Sequence, residues 1–118
     1  MIAVRDIRKS AAWYCKLLGA TNDHARDDFD RIVDGDRVLL MLHHWGGGEH
    51  GAMRSPEDGT IGNGFLLWIY VSDLDAIYAR AKKLKATVVT KPHDNPQAGW
   101  REFTVRDLDG YAVALAEA

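Results

Sequence analysis

Aromatic and polar side chains occupy every second position of one predicted strand, and they are the residues best suited to hold a ligand. Within Leu66 to Val71, Trp68 and Tyr70 carry polar tips, whereas the residues between them are aliphatic. Successive side chains of a strand point to opposite faces of its sheet. We therefore expect the aliphatic face to meet the helices and the aromatic face to remain open.

Further predicted strands extend this open face by the same alternation, which places Val38, Leu40 and Leu42 together on the aliphatic face. Rings can stack on a ligand, and small alanines leave it room, so the combination is typical of a pocket. The alternative, that the rings fill a core or a dimer interface, stays open. The candidate ligand-binding residues are Met41, His43, Trp45, Leu66, Trp68, Tyr70, Trp100, Glu102, Thr104, Ala112 and Ala114.

Two other motifs are weaker signals of chemistry. His43 and His44 precede His50, but adjacent strand residues point to opposite faces, so a three-histidine metal site is not expected. Residues 46–51 satisfy the G-x-G-x-x-G spacing. Because no predicted helix follows to present its N-terminus to a pyrophosphate, a hinge or lid is favoured over a dinucleotide site.

Composition predicts one soluble domain. The chain has 118 residues, 47% of them hydrophobic and 27% charged, with a formal net charge of −2. This charge gives no reason to bind nucleic acid or an anionic membrane. The sequence contains neither an apolar stretch long enough to span a membrane nor the segments of a secretory signal, so we expect a cytoplasmic protein.

The chain also repeats itself. The offset that carries Asp6 onto Asp73 also carries Val4 onto Val71 and Ile7 onto Leu74, and each Asp stands where a helix N-cap is expected. Each copy predicts a strand, a helix and three strands, in modules of about 1–45 and 65–118 joined by a glycine-rich connection, 46–64. The predicted helices cover about 7–18 and 75–85, and the predicted strands include 28–33, 37–45, 65–71, 87–90, 100–106 and 111–116.

Three segments resemble one known family. They are Val4 to Ile7 with Trp13 to Gly19, Val71 to Ala76, and Arg101 to Tyr111. The last segment contains the turn Asp107-Leu108-Asp109-Gly110, which resembles the family's Asp-Pro-Asp-Gly turn. The chain is similar to the vicinal oxygen chelate superfamily, the glyoxalase, bleomycin-resistance and extradiol-dioxygenase group. The resemblance implies one α+β domain over 1–118, with two βαβββ modules forming a curved mixed sheet, helices on its convex face, and a homodimer.

Metalloenzymes of that family take ligands from four strand positions. By the resemblance, these positions fall before Met1, on Met41, on Leu66 and on Ala114. Leu and Ala offer no donor atom, and a thioether suits only soft metals. We therefore expect no metal and no cofactor.

The expected function follows the metal-free branch of the family, typified by bleomycin-resistance proteins. The resemblance implies a binding protein, rather than an enzyme, that confers antibiotic resistance by holding a drug-like or toxic molecule between rings, with Glu102 attracting a cationic group. The alternative is a metal-dependent isomerase, lyase or dioxygenase with an unusual site that includes His43 and Glu102. A third possibility is an interaction module whose cavity has filled.

Overall fold

The computed structural model describes residues 1–45, 65–96 and 99–118, and within them it contains two helices and eight strands. The chain divides into two compact units, Met1–Ile61 and Gly62–Ala118. Each unit runs strand, helix, three strands, which confirms the predicted α+β fold of two βαβββ modules. The predicted connection 46–64 lies outside the described residues.

The first unit is a four-stranded mixed sheet with one helix. Its strands lie in the order β1-β4-β3-β2, with β1 parallel to β4 and the other pairs antiparallel. Apolar residues of the helix and of the strands form its buried core. The elements are β1 (Ile2–Val4), α1 (Ile7–Leu18), β2 (Thr21–Asn22), β3 (Phe29–Asp34) and β4 (Arg37–His44).

Helix α1 begins and ends where its sequence requires. The carboxylate of Asp6 accepts a hydrogen bond of 2.9 Å from the backbone N–H of Lys9, which satisfies one of the free donors of the first turn. Gly19 ends the helix in the left-handed conformation, with φ of 66°, which glycine adopts without steric cost. Ile7, Tyr14 and Leu17 form part of its buried face.

One expectation for this unit was wrong. The alternation places Val38 on the buried face with Leu40 and Leu42, but Val38 is 42% exposed while the two leucines are buried. The cause is a register shift in the β3–β4 ladder, where Ile32 pairs with Leu40 but Val33 pairs with Val38. An extra residue in one strand of a pair breaks the two-residue alternation beyond it.

The second unit repeats this architecture. Its strands lie in the order β5-β8-β7-β6, with β5 parallel to β8 and the other pairs antiparallel. Asp73 caps the helix by accepting a 2.9 Å hydrogen bond from the N–H of Ala76. The elements are β5 (Leu66–Tyr70), α2 (Leu74–Lys83), β6 (Thr87–Asn95), β7 (Trp100–Arg106) and β8 (Ala112–Glu117).

Helix α2 packs on one face of the second sheet. The ring of Tyr78 meets that of Phe103 edge-to-face, with centroids 5.1 Å apart. Phe103, Val105 and Leu115 are fully buried, as the alternation predicts. The predicted hairpin of β7 and β8 is confirmed, and Asp107 Oδ1 accepts hydrogen bonds from the N–H groups of Asp109 and Tyr111 to hold its turn.

Strand β6 is longer than the sequence indicates. We expected it to end at Thr90, but it continues through Pro92 to Asn95 and pairs with β7 as far as Trp100. Proline lacks a backbone N–H, and an edge strand tolerates it because one row of its donors has no partner. The extension places His93 and Asn95 beside β7. No helix in the described part of the chain is long and apolar enough to cross a membrane.

Candidate functional site

The face of the second sheet opposite α2 carries most of the predicted ligand-binding residues, and we call it the aromatic face. Its centre is a row that crosses all four strands, in which Tyr70 pairs with Ala116, Ala116 with Glu102, and Glu102 with His93. The neighbouring row runs through Trp68, Ala114 and Thr104. The face comprises Leu66, Trp68, Tyr70, Thr90, His93, Asn95, Trp100, Glu102, Thr104, Ala112, Ala114 and Ala116.

Three rings on this face contact one another. The ring centroid of Trp100 lies 5.5 Å from that of Tyr70 and 6.3 Å from that of Trp68, and the last two are 6.4 Å apart. The interplanar angles are 55–68°, so the rings meet at an incline instead of stacking flat. Tyr70 is 61% exposed and Trp68 37% exposed, so both retain π surface that a ligand can cover.

Alanines form the floor beneath these rings. Ala116 separates Tyr70 from Glu102, and Ala114 separates Trp68 from Thr104. Both alanines are buried, whereas Leu66, beside Ala112 at the start of β5, is 48% exposed. Small residues between large ones let the side chains of the neighbouring strands approach one another above them, and both alanines are covered in this way.

The carboxylate of Glu102 lies beside the rings and is incompletely paired. Its side chain is 14% exposed, and Oε1 accepts a long hydrogen bond of 3.3 Å from Asn95 Nδ2. Oε2 is buried and has no hydrogen-bond partner among the described residues, and the same holds for the indole N–H of Trp100. A buried polar atom without a partner costs about 1–3 kcal/mol, which a ligand that pairs with it can recover.

His93, which can carry a charge, pairs with Glu102 in the β6–β7 ladder. Its Nε2 lies 3.7 Å from Glu102 Oε1, which is an ion pair only when the imidazole is protonated. The guanidinium of Arg101, adjacent on β7, instead pairs with Asp75 at 3.0 Å. Within the described ranges, no arginine or lysine nitrogen lies within 4.0 Å of the Glu102 carboxylate.

The remaining predicted site residues belong to the first unit. Met41 pairs with Arg31 in the β3–β4 ladder, and His43 pairs with Phe29 on one side and Ala3 on the other. Trp45 follows β4, and its buried indole N–H has no partner among the described residues. The structure thus groups eight of the eleven predicted residues on one sheet and places Met41, His43 and Trp45 on the other unit.

One carboxylate of the first unit, that of Asp23, is fully paired. Arg31, the neighbour of Met41, donates from Nε and Nη2 to the two carboxylate oxygens of Asp23. The hydrogen bond from Arg31 is the main reason that the pKa of Asp23 falls to about 2. Asp23 therefore has its cationic partner in place, whereas Glu102 does not.

The histidine pair of the first unit differs from expectation. The rings of His43 and His44 do not point to opposite faces but stack, with centroids 4.9 Å apart and an interplanar angle of 22°. His44 is the last residue of β4, so strict alternation ends there, and His43 Nδ1 lies 2.9 Å from the carbonyl oxygen of His44. His50 lies outside the described residues.

The positions that the family uses for metal do not fit a divalent cation. Leu66 contributes only carbon, Ala114 contributes a methyl group between Trp68 and Thr104, and Met41 contributes a thioether. Hard and borderline cations need oxygen or imidazole nitrogen. Among the residues described, no group of three or more His, Cys, Asp and Glu is arranged to hold a metal ion.

Sequence reasoning missed His93 and Asn95. The predicted strand ended at Thr90, before Pro92, and so left both residues outside the sheet. A detectable signal was present, because His93 and Asn95 are two residues apart and thus share a face of any strand that continues through them.

Comparison with known proteins agrees with this architecture. A family model described as the Glyoxalase/Bleomycin resistance protein/Dioxygenase superfamily matches residues 1–115. The chain belongs to this superfamily. A search of curated proteins found no significant match.

Solved structures of the superfamily fold align along almost the whole chain. TioX from Micromonospora sp. ML1 superimposes with a TM-score of 0.74 at 21% identity, covering 99% of this chain and 91% of TioX. A glyoxalase/bleomycin resistance protein/dioxygenase family enzyme from Burkholderia phytofirmans PsJN gives 0.74 at 19% identity, covering 98% and 93%. A hypothetical protein from S. aureus gives 0.75 at 21%, covering 99% and 89%. At these identities the likeness establishes the fold.

Proposed function

We propose that this member of the superfamily is a metal-free binding protein that holds a planar, cationic drug-like or toxic molecule on its aromatic face and so protects the cell. The observation that carries the proposal is the contact of three rings beside a buried, incompletely paired carboxylate. Such a site supplies dispersion and ring electrostatics together with one fixed negative charge.

The rings favour a ligand that is both flat and positive. An aromatic contact contributes about 0.5–1.5 kcal/mol, and a cation over a ring about 0.5–2 kcal/mol according to its desolvation. Trp68, Tyr70 and Trp100 offer several such faces within one site. Glu102 attracts the positive group because no arginine or lysine among the described residues neutralises it.

Binding without metal is supported by the donor set. Three of the strand positions used by metalloenzymes of the superfamily carry Met41, Leu66 and Ala114, and two of these offer no donor atom. Affinity then comes from rings, charge and shape. Stoichiometric sequestration needs only these contributions.

Tryptophan fluorescence tests the proposal. Titration with planar cationic antibiotics is expected to quench the indole emission of the wild-type protein to saturation at a fixed stoichiometry. Trp68→Phe and Trp100→Phe are expected to weaken binding and reduce the change. Trp13→Phe removes an indole of helix α1, on the first unit, and serves as the matched control. A flat signal across the panel would overturn the proposal.

A second candidate function is an enzyme of the superfamily. The observation that favours it is the distance of 3.7 Å between His93 Nε2 and Glu102 Oε1, since an imidazole and a carboxylate can together move a proton or bind a cation. His43, the other residue of the unusual site that the sequence suggests, belongs to the first unit. Elemental analysis separates the candidates: a stoichiometric transition metal in the purified protein, or activity gained on adding one, would favour the enzyme.

We further propose a homodimer. Strand β5 lies at the edge of its sheet, and Phe65, the residue before it, is 46% exposed. An edge strand with apolar side chains offers both unpaired backbone groups and apolar area to a partner. Analytical ultracentrifugation tests this, and a monomer at micromolar concentration would contradict it.

A further inference from the structure

The proton position on His93 is fixed by its own strand. His93 Nδ1 lies 2.9 Å from the carbonyl oxygen of Lys91. A carbonyl oxygen only accepts, so in the neutral imidazole Nδ1 carries the proton and Nε2 presents a lone pair. That lone pair lies 3.7 Å from Glu102 Oε1, which is also an acceptor.

Acceptors therefore outnumber donors at this end of the aromatic face. Glu102 Oε1 receives one long hydrogen bond from Asn95, and Oε2 receives none from the described residues. His93 Nε2 can only accept while the imidazole is neutral. Three acceptor atoms on two facing side chains fit a group that carries several N–H donors.

We propose that Glu102 and His93 form a subsite for an N–H-bearing cation, a primary or secondary ammonium or an amidinium, and select it over a quaternary ammonium of equal charge. This inference rests on the proposed function and names the ligand's chemical class. Both kinds of cation gain attraction from the rings. Only the N–H-bearing cation can also donate to Glu102 Oε2, and a quaternary cation leaves that buried oxygen without a partner.

Access to Glu102 Oε2 requires a side chain to move. Tyr70 lies in the same row of the sheet, separated from Glu102 by the small Ala116, and its ring is the most exposed of the three. Exposed side chains change rotamer within nanoseconds. A change of the Tyr70 rotamer is the movement that this arrangement offers, since it would displace neither β7 nor β8.

A matched pair of probes tests the subsite. Phenethylammonium and its N,N,N-trimethyl derivative share a ring, a linker and a charge, and the derivative carries three methyl groups in place of the three N–H hydrogens. Dissociation constants would be measured by NMR titration of the full chain under mildly alkaline conditions. We expect the primary ammonium to bind about tenfold more tightly.

Two variants assign the preference to Glu102. Glu102→Gln removes the charge and retains the shape, and it is expected to abolish the preference. Asp94→Asn is the control, because it removes one charge from the neighbouring position of β6. Asp94 pairs with Arg101, and alternation along the strand points the Asp94 side chain away from the aromatic face. The preference is expected to persist in this control.

The outcomes separate the subsite from the proposed function. Equal affinities, a preference for the quaternary probe, or a preference retained by Glu102→Gln would each overturn the subsite while leaving ring-based binding in place. Absence of binding by both probes would also overturn the subsite. The proposed function is judged independently by the antibiotic titration of the wild-type protein.

Discussion

The ring centroids of Tyr70 and Trp100 lie 5.5 Å apart although β8 separates their strands. Ala116 of β8 lies between Tyr70 and Glu102 in one row of the sheet. Its side chain is only a methyl group, so side chains from β5 and β7 can approach each other above it. The aromatic cluster therefore depends on an alanine as much as on the rings.

The ring of Tyr70 should matter more than its hydroxyl group. We expect Tyr70→Ala to weaken binding of a planar cation roughly two- to tenfold, because one aromatic contact of about 0.5–1.5 kcal/mol is lost. Tyr70→Phe retains the ring and is expected to bind within about twofold of the wild type. Fluorescence titration of both variants makes the comparison. Equal losses in the two would show that the hydroxyl, not the ring, binds the ligand.

Asp30 should stabilise the first unit in a pH-dependent way. The side chain is 1% exposed and accepts hydrogen bonds from the backbone N–H groups of His24, Ala25 and Arg31 and from Asn22 Nδ2. Burial alone would raise its pKa, but these hydrogen bonds outweigh burial and lower it. The resulting stabilisation is present above the unfolded pKa of about 3.9 and is lost as the pH falls through the lower folded value.

Asp30→Asn is therefore expected to reduce the free energy of unfolding by about 1–3 kcal/mol near neutral pH, because one oxygen is replaced by an amide that cannot accept from Asn22. The difference from the wild type should shrink in acid. Urea unfolding at several pH values measures it. Asp27→Asn is the control, since Asp27 pairs with Arg8 on the surface, where both side chains are mostly exposed, and it should change stability little. Equal effects of the two substitutions would contradict the account.

The repeated N-caps should contribute similarly in the two units. Asp6 and Asp73 each accept a 2.9 Å hydrogen bond from a backbone N–H three residues ahead. Asp6→Ala and Asp73→Ala are each expected to cost about 1 kcal/mol, whereas substitution of either Asp by Asn, an equally good cap, should cost little. Thermal unfolding of the four variants tests this, and indifference to alanine would show that tertiary packing alone fixes the helix starts.

Much of the fold was predictable because short stretches of sequence determine where its helices and strands begin and end. Local signals identify single elements: the capping Asp residues and the glycine after Leu18 identify the helices, and the two-residue alternation around Phe103 identifies a strand. The internal repeat indicates how these elements are grouped. The errors arose where the local pattern is interrupted. The register shift beside Val38 and the passage of β6 through Pro92 depend on pairing with a neighbouring strand, which local periodicity does not report.

The candidate site was predictable to the same extent. Trp68, Tyr70, Trp100 and Glu102 share a face because alternation is strict in β5 and β7. That Glu102 has a buried oxygen without a partner, and that His93 faces it, follow from side-chain packing and from the length of β6. Neither feature can be inferred from the sequence alone.

The indole N–H resonances test the central claim most directly. The protein has four tryptophans, so a ¹H–¹⁵N spectrum should show four indole peaks, which single Trp→Phe variants assign. On titration with a planar cationic antibiotic, we predict saturable shifts of the Trp68 and Trp100 peaks, while the Trp13 peak does not move. The shift should be largest for Trp100, because its indole N–H has no partner among the described residues. Shifts absent from Trp68 and Trp100 while the ligand binds elsewhere would contradict the assignment of the aromatic face as the binding site.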